Sequence, residues 1–201
     1  DWAAAEAAHR RALELNPASF EVSVGHAIHY LRIVGRVDEA IAELRRVLES
    51  DPLSAPALSL LGVLYWGNRQ FELSVQHCTR ALALDDVNAI ALWYLGLSRA
   101  ALGDQSASVA CFERLVSLVN RAPSALGCYA WALGHLGRHA EARTVAEEVI
   151  GKAGGGFVPG YAEALACHTI GQTDRALDAL ERAEWEFEPQ IFWAFGEMCL
   201  E

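Results

Sequence analysis

The feature that most constrains this chain is a spacing of 34 residues. In the stretch Ala55 to Asp86, apolar residues recur every three or four positions at Leu58, Leu61 and Tyr65, and again at Phe71, Val75, Cys78 and Leu82. A polar break at Asn68 to Gln70 separates the two runs, so the pattern predicts two amphipathic helices joined by a short turn. Moving 34 residues on from Gly62, Ser74 and Ala81 gives Gly96, Ser108 and Leu115, then Ala130, Ala142 and Val149, then Ala164, Ala176 and Ala183. Turn residues return at the same interval, at Arg69-Gln70, Gly103-Asp104, Gly137-Arg138 and Gly171-Gln172.

Helical hairpins at this period resemble the tetratricopeptide repeat. The match is carried by Leu61-Gly62 with Tyr65, by Leu95-Gly96, by the Ala and Ser series, by Phe112 and Leu180 in second helices, and by Pro17 and Pro52 as terminal prolines. It covers nearly the whole chain. The resemblance implies an all-α fold, a right-handed α-solenoid of stacked antiparallel helix pairs forming one domain over residues 1–201. Residues 1–17 read as the second helix of an incomplete repeat, so a longer parent protein is expected. Repeats then follow at 20–54, 55–88, 89–122, 123–156 and 157–190, and an aromatic capping helix at 191–201 carries Ile191, Phe192, Trp193 and Phe195. Pro17 and Pro52 lie 35 rather than 34 residues apart. The surplus residue is expected near Val34-Gly35, in a loose turn.

Sixteen Lys and Arg against 26 Asp and Glu leave a net charge of −10, a field that repels nucleic-acid phosphates and anionic membrane surfaces. No run of about eighteen apolar residues marks a membrane span, and the amino end lacks a secretory pattern. Cys78, Cys111, Cys128, Cys167 and Cys199 show no Cys-x-x-Cys spacing, which suits reduced thiols in the cytoplasm. Abundant Ala, Arg and Gly point to a bacterial source.

The family binds ligands on the face lined by first helices. By register, that face falls on Val24, Ile28 and Leu31; Ser59, Val63 and Trp66; Trp93, Leu97 and Ala100; Gly127, Trp131 and Gly134; Tyr161, Leu165 and His168. The resemblance therefore implies a protein–protein interaction module whose concave aromatic groove takes an apolar peptide or partner helix. The alternatives are residues buried against one another, a groove covered by the chain's own tail, an array that senses a small molecule, and a structural array self-associating through its last helix. A Lys/Asn/Arg carboxylate clamp, known in some members, is not matched; Arg32 and Arg99 are the nearby cations. Phe157 to Ala183 loosely resembles the closing repeat of arrays in bacterial signalling proteins.

Residues with chemical potential do not assemble into a catalytic set, and no enzyme activity, cofactor or metal is expected. His26 with His29, and His135 with His139, fall short of the three or four ligands a zinc site needs, and the Gly137 turn separates the second pair. His77 and Cys78 are adjacent on a helix and point about 100° apart. Carboxylates at Asp85-Asp86, Glu147-Glu148, Glu181, Glu184 and Glu186 read as solvated surface. Gly154-Gly155-Gly156 ends a helix, and with no strand before it Lys152 does not complete a phosphate loop.

Overall fold

The computed structural model describes residues 2–16 and 19–185; the aromatic helix expected at 191–201 lies outside them, as does Pro17. Among the described residues all regular structure is helical. The helices are α1 (Trp2–Leu15), α2 (Phe20–His26, continued by a π-turn Ala27–Leu31), α3 (Val37–Ser50), α4 (Ala55–Gly67), α5 (Phe71–Leu84), α6 (Ala89–Ala101), α7 (Gln105–Leu118), α8 (Pro123–His135), α9 (His139–Ala153), α10 (Gly160–Thr169) and α11 (Thr173–Trp185). They belong to two compact units, Asp1–Ser98 and Arg99–Glu201.

Helix starts follow the capping chemistry of the sequence. The Ser19 hydroxyl accepts from the Val22 N–H at 3.3 Å, and Asn88 Oδ1 accepts from the Ala91 N–H at 2.9 Å. Pro56 and Pro123 stand in the first turns of α4 and α8, where the missing N–H costs nothing.

First helices end alike. Gly35, Arg69, Gly103, Gly137 and Gly171 all have φ between 57° and 81°. The following N–H reaches back five residues, as in Gln70 to the Tyr65 carbonyl at 2.8 Å and Arg138 to Leu133 at 2.9 Å. This left-handed cap satisfies carbonyls that the helix end would leave open. Arg69 alone occupies the position with a side chain, and a Cβ there costs roughly 1 kcal/mol. Arg69→Gly is expected to raise the unfolding free energy by about 0.5–1 kcal/mol. A urea midpoint at or below that of the parent chain would contradict this.

The surplus residue of the first hairpin is not in its turn. Gly35 has the same φ as the other turn glycines, and Arg36 N–H closes on the Leu31 carbonyl at 2.8 Å. Instead α2 widens into a π-turn, with the Arg32 N–H donating to the Ala27 carbonyl at 3.1 Å. One residue is absorbed inside the helix while the turn keeps its shape.

In the first unit, Ala27, Tyr30, Leu31, Leu44, Leu61 and Tyr65 form one buried cluster, and Leu58, Cys78, Ala81 and Ala91 a second. Small residues set how closely helices approach. A Cβ on Gly62 would lie 2.3 Å from Cys78 Sγ. The Ser74 hydroxyl donates to the Gly62 carbonyl at 2.8 Å and accepts from the Ser98 hydroxyl at 2.8 Å, so these buried serines are satisfied. In the second unit α8 lies against α9 and α10, and α10 against α11. There a Cβ on Gly127 would lie 2.9 Å from the Ala162 carbonyl oxygen, and one on Gly160 2.4 Å from that of Ala179.

Candidate functional site

The first-helix positions predicted to line a groove are mostly covered. In the first unit Ile28 and Leu31 belong to the buried cluster, Val24 packs on it, and Ser59, Val63 and Leu97 are buried. Trp66 is 6 % exposed and meets Tyr94 edge-on, with centroids 5.6 Å apart; Trp93 is half-buried. Burial pushes the Arg32 guanidinium down to about 10, against a small opposing contribution from Tyr94, so it stays charged at neutral pH. Arg99, at the start of the second unit, pairs with Asp104 at 3.3 Å.

In the second unit, Tyr161, at 3 % exposure, and Leu165 are buried, and Gly127 is spent on the α8–α10 contact. Trp131 is 9 % exposed. Its ring lies 4.3 Å from that of His135, whose Nδ1 is 3.0 Å from the Trp131 carbonyl oxygen. Around these two a recess of about 210 Å³ opens, completed by Gly134, His139, His168 and Thr169. Three predicted groove positions, Trp131, Gly134 and His168, thus share one cavity wall. The recess also unites His135 with His139 across the Gly137 turn, which sequence reasoning had kept apart. No group of three or more His, Cys, Asp or Glu among the described residues could hold a metal ion.

Other residues with chemical potential are held structurally. His26 bonds Glu43, at 2.7 Å, while His29 is exposed, so that pair does not converge. His77 stacks on Tyr65, with centroids 5.1 Å apart, and burial lowers its pKa, helped by Arg80 and Arg45. Cys78 is buried beneath Gly62. Burial raises the Cys111 and Cys167 thiols, which keeps them protonated and poorly nucleophilic. Glu148 pairs with Arg121 and Lys152, and the Lys152 ammonium donates to the Arg121 carbonyl at 3.0 Å. Glu163 is 5 % exposed and bonds two partly exposed guanidiniums, those of Arg175 and Arg182, an arrangement that the sequence did not announce.

Comparison with known proteins agrees with this architecture. The tetratricopeptide repeat family profile matches residues 1–55, 29–89, 59–123 and 95–157. The chain therefore belongs to the tetratricopeptide repeat family, and its fold is the all-α helical-hairpin solenoid. A search of curated proteins finds no match. Among solved structures, it is similar to Pseudomonas aeruginosa PilF at 21 % identity, with 96 % of this chain and 89 % of that one covered and a TM-score of 0.68. It is similar to a tetratricopeptide repeat protein from Parabacteroides merdae at 17 % identity, covering 92 % and 73 %, with a TM-score of 0.69. YrrB, described as a tetratricopeptide repeat protein with an unusual peptide-binding site, aligns at 21 % identity over 93 % of this chain and 95 % of its own, with a TM-score of 0.62. No helix among the described residues is long and apolar enough to cross a membrane.

Proposed function

We propose that this protein is a protein-interaction module that binds an apolar peptide or partner helix on the face formed by its first helices, and that it works by binding rather than catalysis. The observation that supports this most is the recess in the second unit, where Trp131, Gly134 and His168 converge by register. A void of about 210 Å³ suits a single side chain of a partner. The Trp131 indole and the imidazoles of His135, His139 and His168 line it, and rigid rings of this kind lose little conformational freedom when a partner covers them. In the first unit Val63, Trp66, Trp93 and Leu97 stand at the equivalent face, with Trp93 the aromatic left half-exposed.

The peptide-binding site named for YrrB, a protein of the same fold, makes this kind of ligand a reasonable expectation here. A bacterial regulatory setting in the cytoplasm belongs to the same proposal. Its support is the resemblance of residues 157–183 to signalling arrays.

Peptides selected from a displayed library against the whole chain provide the test. Trp131→Ala is expected to weaken the selected peptides at least tenfold, about the loss typical of a truncated anchor, with the helical circular dichroism unchanged. Capture undiminished from that of the parent chain in folded Trp131→Ala and Trp93→Ala chains would overturn the reading.

A further inference from the structure

Three of the chain's seven histidines meet at the recess of the second unit, a convergence that anchoring alone does not require. His135 ends α8, His139 begins α9 and His168 stands in the last turn of α10; with Trp131, Gly134 and Thr169 they form its wall. Among the described residues, no Asp, Glu, Lys or Arg joins that wall. All three histidines are solvent-exposed, so protons reach them from the medium. Imidazoles alone therefore set the charge of the wall, and histidine is the side chain whose ordinary titration falls near pH 6.5.

The geometry fixes where the proton goes on one of them. His135 Nδ1 lies 3.0 Å from the Trp131 carbonyl oxygen, which can only accept, so Nδ1 carries the proton of the neutral ring and Nε2 keeps its lone pair. A second proton adds at Nε2 and turns an acceptor into a charged donor. The same ring lies 4.3 Å from the Trp131 indole, inside the distance of about 6 Å over which a cation is drawn to an indole. An imidazolium there holds the surface on which an incoming ring would stack. Thr169 brings no polar contact to offset this, because its hydroxyl donates to the Leu165 carbonyl at 2.8 Å.

Charges on the surrounding elements are engaged elsewhere. Arg138, in the turn between α8 and α9, bonds Glu141 at 2.7 Å, and Glu163 on α10 holds Arg175 and Arg182 of α11. Arg143, one turn beyond His139 on α9, is a further exposed cation. α7 packs on α8 without contributing to the wall. No carboxylate of the recess thus pairs with an imidazolium.

We propose that the recess takes an uncharged aromatic side chain of the partner while its imidazoles are neutral and gives it up as they are protonated, so that capture is controlled by pH. This rests on the recess being the anchor site. A ring seated against Trp131 excludes water from the imidazoles around it, and a charge left without water or a partner is costly. Neutral imidazoles carry no such cost, and His135 Nε2 is then an acceptor for a phenol or indole donor. An acidic occupant would show the opposite dependence, and the net charge of −10 opposes its approach. Linkage sets the size of the effect. An imidazole of ordinary acidity is about nine-tenths charged at about pH 5.5, so each one that must be neutral in the bound state weakens binding about tenfold.

Titration of the whole chain with p-cresol, a tyrosine side chain without its backbone, followed through the histidine ring proton resonances, tests the proposal. Saturable binding at roughly millimolar affinity, the scale for so small a ligand, is expected at about pH 7.5, with a loss of about tenfold or more at about pH 5.5. In a chain carrying His135→Gln, His139→Gln and His168→Gln, the ratio between the two affinities is expected to fall to about one. A ratio that survives in that variant places the dependence on other histidines and overturns the proposal. So does parent-chain binding that is equal or tighter at the acid value, or absent at both. Should the variant not fold or not bind, the parent decides by reciprocity: saturating p-cresol should move the titration midpoint of at least one of the three rings to lower pH, and midpoints that stay or rise overturn the proposal. The anchor reading fails separately. Library peptides lost on Trp131→Ala but indifferent to pH would keep the recess as the anchor site and remove only its control by protons.

Discussion

Gly62→Ala is expected to lower the unfolding free energy by about 1–3 kcal/mol, the cost of overpacking a filled core, and adding Cys78→Ala is expected to return at least ~1 kcal/mol of that loss. The added Cβ would lie 2.3 Å from Cys78 Sγ and 3.6 Å from the Ser74 carbonyl oxygen, so the sulfur is the obstacle and the backbone is not. Both residues are fully enclosed, which leaves the thiol no direction in which to retreat. The repeat itself suggests the remedy. Two periods on, the same positions hold Ala130 and Ala146, where a Cβ on the first helix faces a side chain no larger than a methyl group. Urea unfolding of the parent, the two single variants and the double variant gives the coupling directly. Strict additivity of the two costs would show that the pair does not share one space.

The second large effect is expected at Glu163. Glu163→Ala should cost about 2–4 kcal/mol, set somewhat below the range for a fully enclosed ion pair because Arg175 and Arg182 are each 44 % exposed and regain water. Burial pushes the Glu163 carboxyl up, but hydrogen bonds and charge from Arg182 and Arg175 outweigh it, and the net pKa falls below the ordinary 4.5. The sign of the pH dependence is set by that direction. A carboxyl whose folded pKa is depressed contributes stability in full above its unfolded value, and that contribution drains away as pH falls through the folded value. The difference in stability between parent and Glu163→Ala should therefore be constant at neutral pH and shrink below about pH 4.5. A difference that stayed constant into acid would place the effect in packing alone.

How legible all this was in the sequence depended on range. The hairpins and the 34-residue interval were visible because helix periodicity and left-handed caps are written in residues three to five apart, such as Leu58, Leu61 and Tyr65 or Gly137 after His135. The π-turn was not visible. Switching one bond from four residues back to five changes no side-chain type, so the surplus residue was expected at Gly35 rather than in Ala27–Leu31. Glu43 was hidden for a related reason. A carboxylate between Ile41 and Leu44 looks like an ordinary outer residue until His26 is placed beside it.

The first-helix face was legible as a set of positions but not as a surface. Register alone placed Trp66, Trp93, Trp131 and Tyr161 correctly on first helices. How much of each ring stays uncovered depends on neighbours such as Tyr94 against Trp66 and His135 against Trp131, which no local pattern specifies. The gathering of His139 and His168 beside Trp131 is likewise a matter of three helices meeting.

The widened turn in α2 bears on how such proteins vary over generations. A gene that gains one codon inside a repeat would ordinarily rotate everything upstream of it by about 100° relative to the later helices. Here the additional unit is swallowed within a single coil, and the cap at Gly35 is left undisturbed. Length polymorphism can thus be quarantined in one hairpin, leaving copies downstream in their original frame.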